Sequence, residues 1–379
     1  MKSTRFVTML LAIVMCLSFC SGAFAETIKI GGIAPLTGEY AVYGTAVQQG
    51  ADLYVDLINA QLKNEGSDKQ FKIVWLDNQA DDTEAQNAYY KLVDQEKVVA
   101  ILGDVLSGNT EAVARCAADD EMPMVSASAT RYEITTDRPS VFRTCFLDPF
   151  QGVVMANYAK TLGLAKVAII YGNDSDYSIG VAESFEAQCK ENGIEIVAKE
   201  GASFTDTDFS AQLTKIAAAS PEALFVPFYG SEASQILPQA VSAGLNNVKF
   251  LGVDGTSDIV AFISDTSLLT NMVYPDHFAF DAESETIKNF ISAFKDKYGV
   301  EPTISFAATG YEAALVLCNS ILEAGTKKAD ITEAIKNSSY DALSGVITFD
   351  DHNDPIKSAF IMTFDAEGGK HFLVQQAPL

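Results

Sequence analysis

From residue 26 onward the chain alternates short apolar runs with longer stretches in which apolar residues recur every three or four positions. The runs at 28–33, 71–76 and 98–102, and the one opening at Met124, have the length of buried strands. Between the first two, Val47, Ala51, Tyr54, Ile58 and Leu62 mark one buried face of a helix over 43–62. Further helices are expected at 83–93 and 109–121. Strand and helix in strict turn predict a parallel sheet built from right-handed βαβ units.

The same order restarts after Asp148-Pro149, with strands at 166–171, 195–199, 223–228 and 249–253 and helices at 180–192, 209–219 and 232–243. Architecture repeats here without repetition of sequence, which predicts an α/β protein of two Rossmann-like, doubly wound lobes. Past Tyr274-Pro275 come helices at 283–298, 304–324 and 331–337 and strands at 346–349 and 359–364. A terminal segment of this length has to pack on something. If the chain returns to the first lobe near Tyr274 and crosses again near Val346, both lobes are discontinuous: 26–146 with 275–346, and 147–274 with 347–379. Three strands then join them, and such a joint bends readily.

Residues 1–25 read as a targeting segment. Lys2 and Arg5 head an apolar run over 6–19, and Ala23-Phe24-Ala25 is a small-residue stop, the pattern of a signal peptide for export to the periplasm. The run is short for a spanning helix. A lipid anchor at Leu17-Ser18-Phe19-Cys20 ranks second, because Phe before Cys fits poorly.

The net charge of −24 becomes about −26 once Lys2 and Arg5 are removed. Such a surface argues against nucleic acid, anionic lipid and polyphosphate as partners. An anionic group would have to be held by backbone dipoles. Of the cysteines, Cys116, Cys145, Cys189 and Cys318 remain after export; no C-x-x-C pair occurs, so neither a metal site nor a dithiol redox motif is expected. Cys189 and Cys318 fall on apolar helix faces, and Cys116 with Cys145 is the candidate bridge. There is no G-x-S-x-G elbow, and His277, His352 and His371 have no nucleophile beside them, which disfavours an enzyme. Asp174-Ser175-Asp176 and Asp350-Asp351-His352-Asn353-Asp354 lack a metal-ligand spacing and read as solvated loops. No cofactor is expected.

The candidate chemistry lies between Val98 and Thr130. Two successive strands each end in a hydroxyl-bearing loop, Ser107-Gly108-Asn109-Thr110 and Ser126-Ala127-Ser128-Ala129-Thr130. Ligands of open α/β sheets bind beyond the carboxyl ends of the strands. Ser107 and Thr130 can present hydroxyls there, and the free amides opening the helix after Asn109 suit a carboxylate. Ser, Gly and Asn are also ordinary turn formers, and on this stretch alone the plain-turn reading stands ahead of the binding one.

A resemblance adds to this. The chain is similar to type I periplasmic binding proteins, and among them to the branched-chain amino acid binding proteins of ABC importers, over nearly all of its length after residue 25. The residues that carry the likeness are Gly32-Ile33-Ala34-Pro35-Leu36-Thr37-Gly38, Tyr43-Gly44, Gly50-Ala51, Ile58-Asn59-Ala60, Asp77-Asn78, Gly103, Ser107-Gly108, Thr110, Pro123-Met124-Val125-Ser126, Ala129-Thr130, Tyr177-Ser178-Ile179-Gly180 and Ala243-Gly244-Leu245. The resemblance implies a binding protein that delivers an aliphatic amino acid to a membrane permease with its ATPase. A soluble amino-acid or amide sensor, or a binder of another small carboxylate, is the alternative. It implies that Ser107 or Asn109, with Thr130, holds the ligand carboxylate in the loop of Ser128, Ala129 and Thr130. The Ser128 carbonyl, Thr130 and Asp254 would take the ammonium. Tyr177 and Tyr229 would close over the ligand from the second lobe, and Tyr43 and Phe306 would wall its side chain from the first. The chain departs from the family where Ala80 and Leu106 replace a disulfide that some members carry. It departs again where 61–70 lacks a glycine-rich turn, and where Asp254 is shorter than the Glu of some members.

Overall fold

The computed structural model describes residues 26–378, so the expected signal peptide lies outside the described residues. The first sheet holds β1 (Glu26–Ala34), β2 (Lys69–Asp77), β3 (Ala100–Leu102), β4 (Met124–Ser126) and β5 (Val141–Arg143), all parallel, in the order β2-β1-β3-β4-β5. The chain then crosses to β6 (Lys166–Gly172), β7 (Glu195–Ala202), β8 (Ala223–Phe225), β9 (Lys249–Leu251) and β10 (Met272–Asp276). It returns for the hairpin β11 (Tyr340–Ala342) and β12 (Gly345–Ile347), and ends on β13 (Ala359–Phe364) and β14 (Lys370–Gln376). The second sheet runs β14-β13-β10-β9-β8-β6-β7, parallel from β7 to β10 and antiparallel at β13 and β14.

The two-lobed α/β fold is the one expected from the alternation of runs, with shifted edges. All of β10 through Asp276 belongs to the second sheet, so the return to the first lobe comes after this strand and not within it. The apolar run 98–102 narrows to the three residues of β3, with the Val99 amide donating to the Lys29 carbonyl just ahead of them. The helix Asp148–Thr161 carries no clear amphipathic stripe: Gln151, Gly152, Val154, Met155, Ala156 and Ala159 are all buried, several against the helix Asp176–Asn192. A Cβ on Gly152 would lie 2.0 Å from Ser184 Oγ, so this contact requires glycine.

The core of the first lobe joins distant parts of the chain. Ile30, Val47, Leu102 and Phe142 share one cluster with Phe290, Phe306, Val316 and Ile347. The helices Ala41–Asn64 and Phe306–Ala324 lie almost backbone to backbone: a Cβ on Gly50 would stand 1.8 Å from the Ala307 carbonyl oxygen, and one on Gly310 2.4 Å from that of Val47. Buried charges pin the crossings between lobes. Lys357 Nζ lies 2.6 Å from Glu312 Oε2 and donates to the Thr144 carbonyl at 2.9 Å, while Arg143 Nε lies 2.7 Å from Asp354 Oδ1.

The expected bridge between Cys116 and Cys145 does not form; all four described cysteines are free and buried. Cys116 Sγ turns back to the Ala112 carbonyl of its own helix, and Cys145 Sγ to the carbonyl of Ala129. Burial pushes the Cys145 thiol up to about 12, so it stays protonated. Among the described residues no helix is long and apolar enough to cross a membrane.

Because the glycine contact sets the distance between the helices that carry Tyr43 and Phe306, Gly50→Ala should destabilise the protein by about 1–3 kcal/mol through overpacking. Equilibrium denaturation measures this, and an unchanged midpoint would show that the helices can move apart freely.

Candidate functional site

In both sheets the parallel strands point their carboxyl ends at the gap between the lobes, and chemically distinct side chains follow almost every one of them. From the first lobe come Tyr43 after β1, Ser107 after β3, and Ser128 to Thr130 after β4. From the second come Tyr177 after β6, Tyr229 after β8, Asp254 after β9 and His277 after β10. Phe306 opens the helix Phe306–Ala324 of the first lobe.

Local structure fixes several of these. Ser175 caps the helix Asp176–Asn192 by accepting from the Ser178 amide, and the Ser178 hydroxyl donates to the Pro227 carbonyl while accepting from Gly172 N at 2.8 Å. Tyr177 is thereby held between the ends of β6 and β8. Gly255, beside Asp254, has no room for a side chain: a Cβ there would lie 2.6 Å from the Tyr229 ring and 2.9 Å from Tyr177 Oη.

Asp254 is the centre of the polar group. It is buried, with Tyr177 Oη donating to Oδ1 at 2.6 Å and His277 Nε2 lying 2.9 Å from Oδ2. Its amide donates to Gln151 Oε1 at 3.2 Å, and Gln151 Nε2 donates to Asp148 Oδ1 at 2.9 Å. The Asp148 amide in turn donates to the Thr130 carbonyl at 2.8 Å. This chain of bonds ties Thr130 of the first lobe to Asp254 of the second. Burial, reinforced by the nearby Asp254 carboxylate and opposed by hydrogen bonds from Thr130 and Gln151, pushes Asp148 up to about 8. Burial and the Asp254 charge hold the Tyr177 phenol well above its ordinary value, so it remains a donor.

Around the polar group stands an aromatic wall. Tyr177 and Tyr229 stack at 5.0 Å between ring centroids, Tyr43 lies 5.6 Å from Tyr229 and 5.4 Å from Phe306, and His277 lies 3.7 Å from Phe146 and 6.0 Å from Phe306. Tyr43 also reaches across the gap: its hydroxyl lies 2.7 Å from the Gly255 carbonyl and accepts from the Gly230 amide at 3.0 Å.

Ser107 is buried at the first position of the helix Ser107–Asp119, whose first internal bond is made by the Thr110 amide to Leu106 O, so the amides ahead of it are free of the helix ladder. Two expected residues do not join the group. Asn109 donates its side-chain amide to Asp82 Oδ1 at 2.6 Å, which commits it to the neighbouring helix Asp82–Lys91. Ala129 packs in the first lobe's core, its amide donating to Ser126 Oγ and its carbonyl accepting from Arg143 at 2.9 Å. Ser128 spends its hydroxyl on the Val105 carbonyl at 3.0 Å, leaving its own carbonyl as the group that could face a ligand. Conversely, Asp148, Gln151 and His277 belong to the group and were not singled out for it by spacing. The available signal was His277 itself, one of three histidines, placed directly after a strand that the apolar pattern leaves unmarked.

The geometry has parallels among known proteins. A model of the family described as periplasmic binding protein matches residues 27–370. The leucine-, isoleucine-, valine-, threonine- and alanine-binding protein of Pseudomonas aeruginosa is 28% identical over 358 residues, 93% of this chain and 94% of that protein. The crystal structure of a leucine-binding protein from Thermotoga maritima superposes with a TM-score of 0.84 at 31% identity, over 93% of this chain and 99% of the other. The branched-chain amino acid transporter substrate-binding protein of Streptococcus pneumoniae, solved in complex with isoleucine, gives 0.84 at 32% identity over the same shares, 93% and 99%. With two doubly wound sheets facing one polar gap and a match that runs from the first strand to the last, the chain belongs to the periplasmic binding protein family.

Proposed function

We propose that the protein is the exported, periplasmic binding component of an ABC importer and carries an aliphatic amino acid, leucine, isoleucine or valine, to a membrane permease driven by an ATPase. The observation that carries this reading is the buried carboxylate of Asp254, set opposite the hydroxyl-rich strand ends of the first lobe. A zwitterion brings one cationic and one anionic end. Its ammonium fits the Asp254 carboxylate, the Ser128 carbonyl and the Thr130 hydroxyl. Its carboxylate fits the Ser107 hydroxyl and the free amides that open the helix Ser107–Asp119, where the helix dipole favours negative charge.

The side chain then lies among Tyr43, Tyr229 and Phe306, with Tyr177 covering the ligand from the second lobe. Burying a leucine-sized group there contributes about 1.5–3 kcal/mol. Selectivity comes from shape as well as burial. Because the two sets of contacts meet only when the lobes are together, ligand stabilises the closed form by its differential affinity, and the permease reads that form. The family is one of substrate-binding proteins, and the site is arranged to hold a zwitterion rather than to transform one. Nucleic acid is not a partner in this reading, given the acidic surface.

Calorimetric titration against a panel of amino acids and small carboxylates tests the proposal. Leucine, isoleucine or valine should bind at least tenfold more tightly than carboxylates without an amino group; equal affinity for the latter would end the role given to Asp254. Asp254→Asn keeps the shape of the side chain, removes its charge and turns one of its two acceptor oxygens into a donor. Loss of a charge-assisted bond of about 1.5–3 kcal/mol corresponds to roughly 10- to 150-fold weaker binding, measured by the same titration with circular dichroism as the control for folding. Unchanged affinity would place the ammonium elsewhere.

A further inference from the structure

Tyr43 holds the lobes together through a proton arrangement that does not close as it first stands. Its hydroxyl lies 2.7 Å from the Gly255 carbonyl and 2.6 Å from Asp258 Oδ1, and the Gly230 amide donates to it at 3.0 Å. A phenol carries one proton. With Asp258 ionised, two acceptor oxygens compete for that proton, and one of the two short contacts is left without a hydrogen. The phenol cannot relieve this by ionising, because burial and the Asp258 charge hold it well above its ordinary value.

A proton on Asp258 Oδ1 completes the count. Asp258 then donates to Tyr43, Tyr43 donates to Gly255, and the Gly230 amide takes the remaining acceptor position of the phenol. The other carboxyl oxygen agrees with this assignment. Asp258 Oδ2 is buried with no hydrogen-bond partner among the described residues, a position that a neutral acid's carbonyl tolerates far better than half of a carboxylate.

We propose that Asp258 is a positioning residue for Tyr43 and takes up a proton when the lobes close, so that closure and ligand affinity are coupled to pH. Asp258 does not touch the proposed amino-acid position; it acts by orienting the Tyr43 ring that walls it. The inference rests on the lobe-closure reading above.

The groups around Asp258 come from four elements. Tyr43 lies on the helix Ala41–Asn64, Glu232 on the helix Gly230–Ala240, Tyr274 on β10 and Lys370 on β14. Burial is the largest influence and favours the neutral acid, and the Glu232 carboxyl, itself pushed up to about 7 by burial, adds to it when ionised; the Tyr43 hydrogen bond, the Lys370 charge and the Asp258 backbone amide oppose it. Lys370 is divided between Asp258 and Asp276 and donates to the Thr303 carbonyl, so its charge is not given to Asp258 alone. Tyr274 stays protonated, because its own burial and three neighbouring carboxylates hold it well above its ordinary value. The balance puts Asp258 at about 7 in this closed arrangement.

Parted from Tyr43 and exposed to water, the same carboxyl falls to about 4. The closed form therefore binds more protons than the open one between these two values. Closing becomes easier as pH falls from about 7 towards about 4, and one proton makes the dependence at most tenfold per pH unit.

Isoleucine titrations from pH 5 to pH 8.5 on the wild type and on Asp258→Asn test this, with small-angle scattering of both ligand-free proteins at the two ends of the range. The Asn amide donates to Tyr43 at every pH as the neutral acid does. The variant should lose up to tenfold per unit of the wild type's slope below pH 7; any slope that remains belongs to Asp148 and Glu232, which burial also pushes up, to about 8 and about 7. Equal slopes in the two proteins, or a variant that fails to bind at pH 5 while folded, would overturn the proposal. If isoleucine binds neither protein at any pH, the ligand reading fails, and scattering decides the coupling alone. A wild type more compact at pH 5 than at pH 8.5, beside a variant that changes less, supports it; no change in the wild type, or the same change in both, overturns it.

Discussion

A carboxylate withdrawn from water has to be compensated where it stands, and Asp254 imposes that requirement on everything around the cleft. Burying an ionised group without partners costs several kcal/mol, so the second lobe places Tyr177 on one oxygen and His277 on the other. Each of those partners needs its own support. Tyr177 is held by the Ser175 cap and the Ser178 bonds between two strand ends, and His277 by the face of Phe146. The aromatic wall thus keeps water from the carboxylate.

Parallel topology explains why such a group can be assembled at all. Strands that run the same way deliver their successors to one edge, and in each sheet the first strand is flanked on both sides by later ones, which opens a crevice at that edge. Two such edges facing each other bring hydroxyls, free amides, a carboxylate and rings from seven strand ends into one gap. The buried charges at the crossings, Lys357 with Glu312 and Arg143 with Asp354, fix the register between the lobes at the places where the chain passes over.

What the sequence reveals of this follows from how each element is exposed. The helix Ala41–Asn64 packs one face and leaves the other to solvent, so Val47, Ala51, Ile58 and Leu62 announce it. The helix Asp148–Thr161 is covered on several sides and shows no stripe. Strands β5 and β14 are missed for opposite reasons: β5 is a three-residue buried strand that carries Arg143, and β14 is a mostly exposed edge strand. At the candidate site, the placement of Thr130, Ser107 and Asp254 beyond strand ends is legible because each follows a recognisable strand. His277 is hidden because β10 contains a proline and ends on an aspartate, and Asp148 and Gln151 because their helix is silent. Asn109 misleads in the other direction: its place in a polar turn suggests a ligand, whereas Asp82 on the next helix takes its amide.

The close seating of Gly50 against Ala307, and of Gly310 against Val47, joins segments some 260 residues apart. During synthesis the amino-terminal half therefore emerges without the helix that completes its core, and it stays unfinished until the ribosome has passed residue 324. Long-range closure of this kind is intrinsically slow. A first lobe closed in this way cannot set while the carboxyl-terminal third of the chain is still being made.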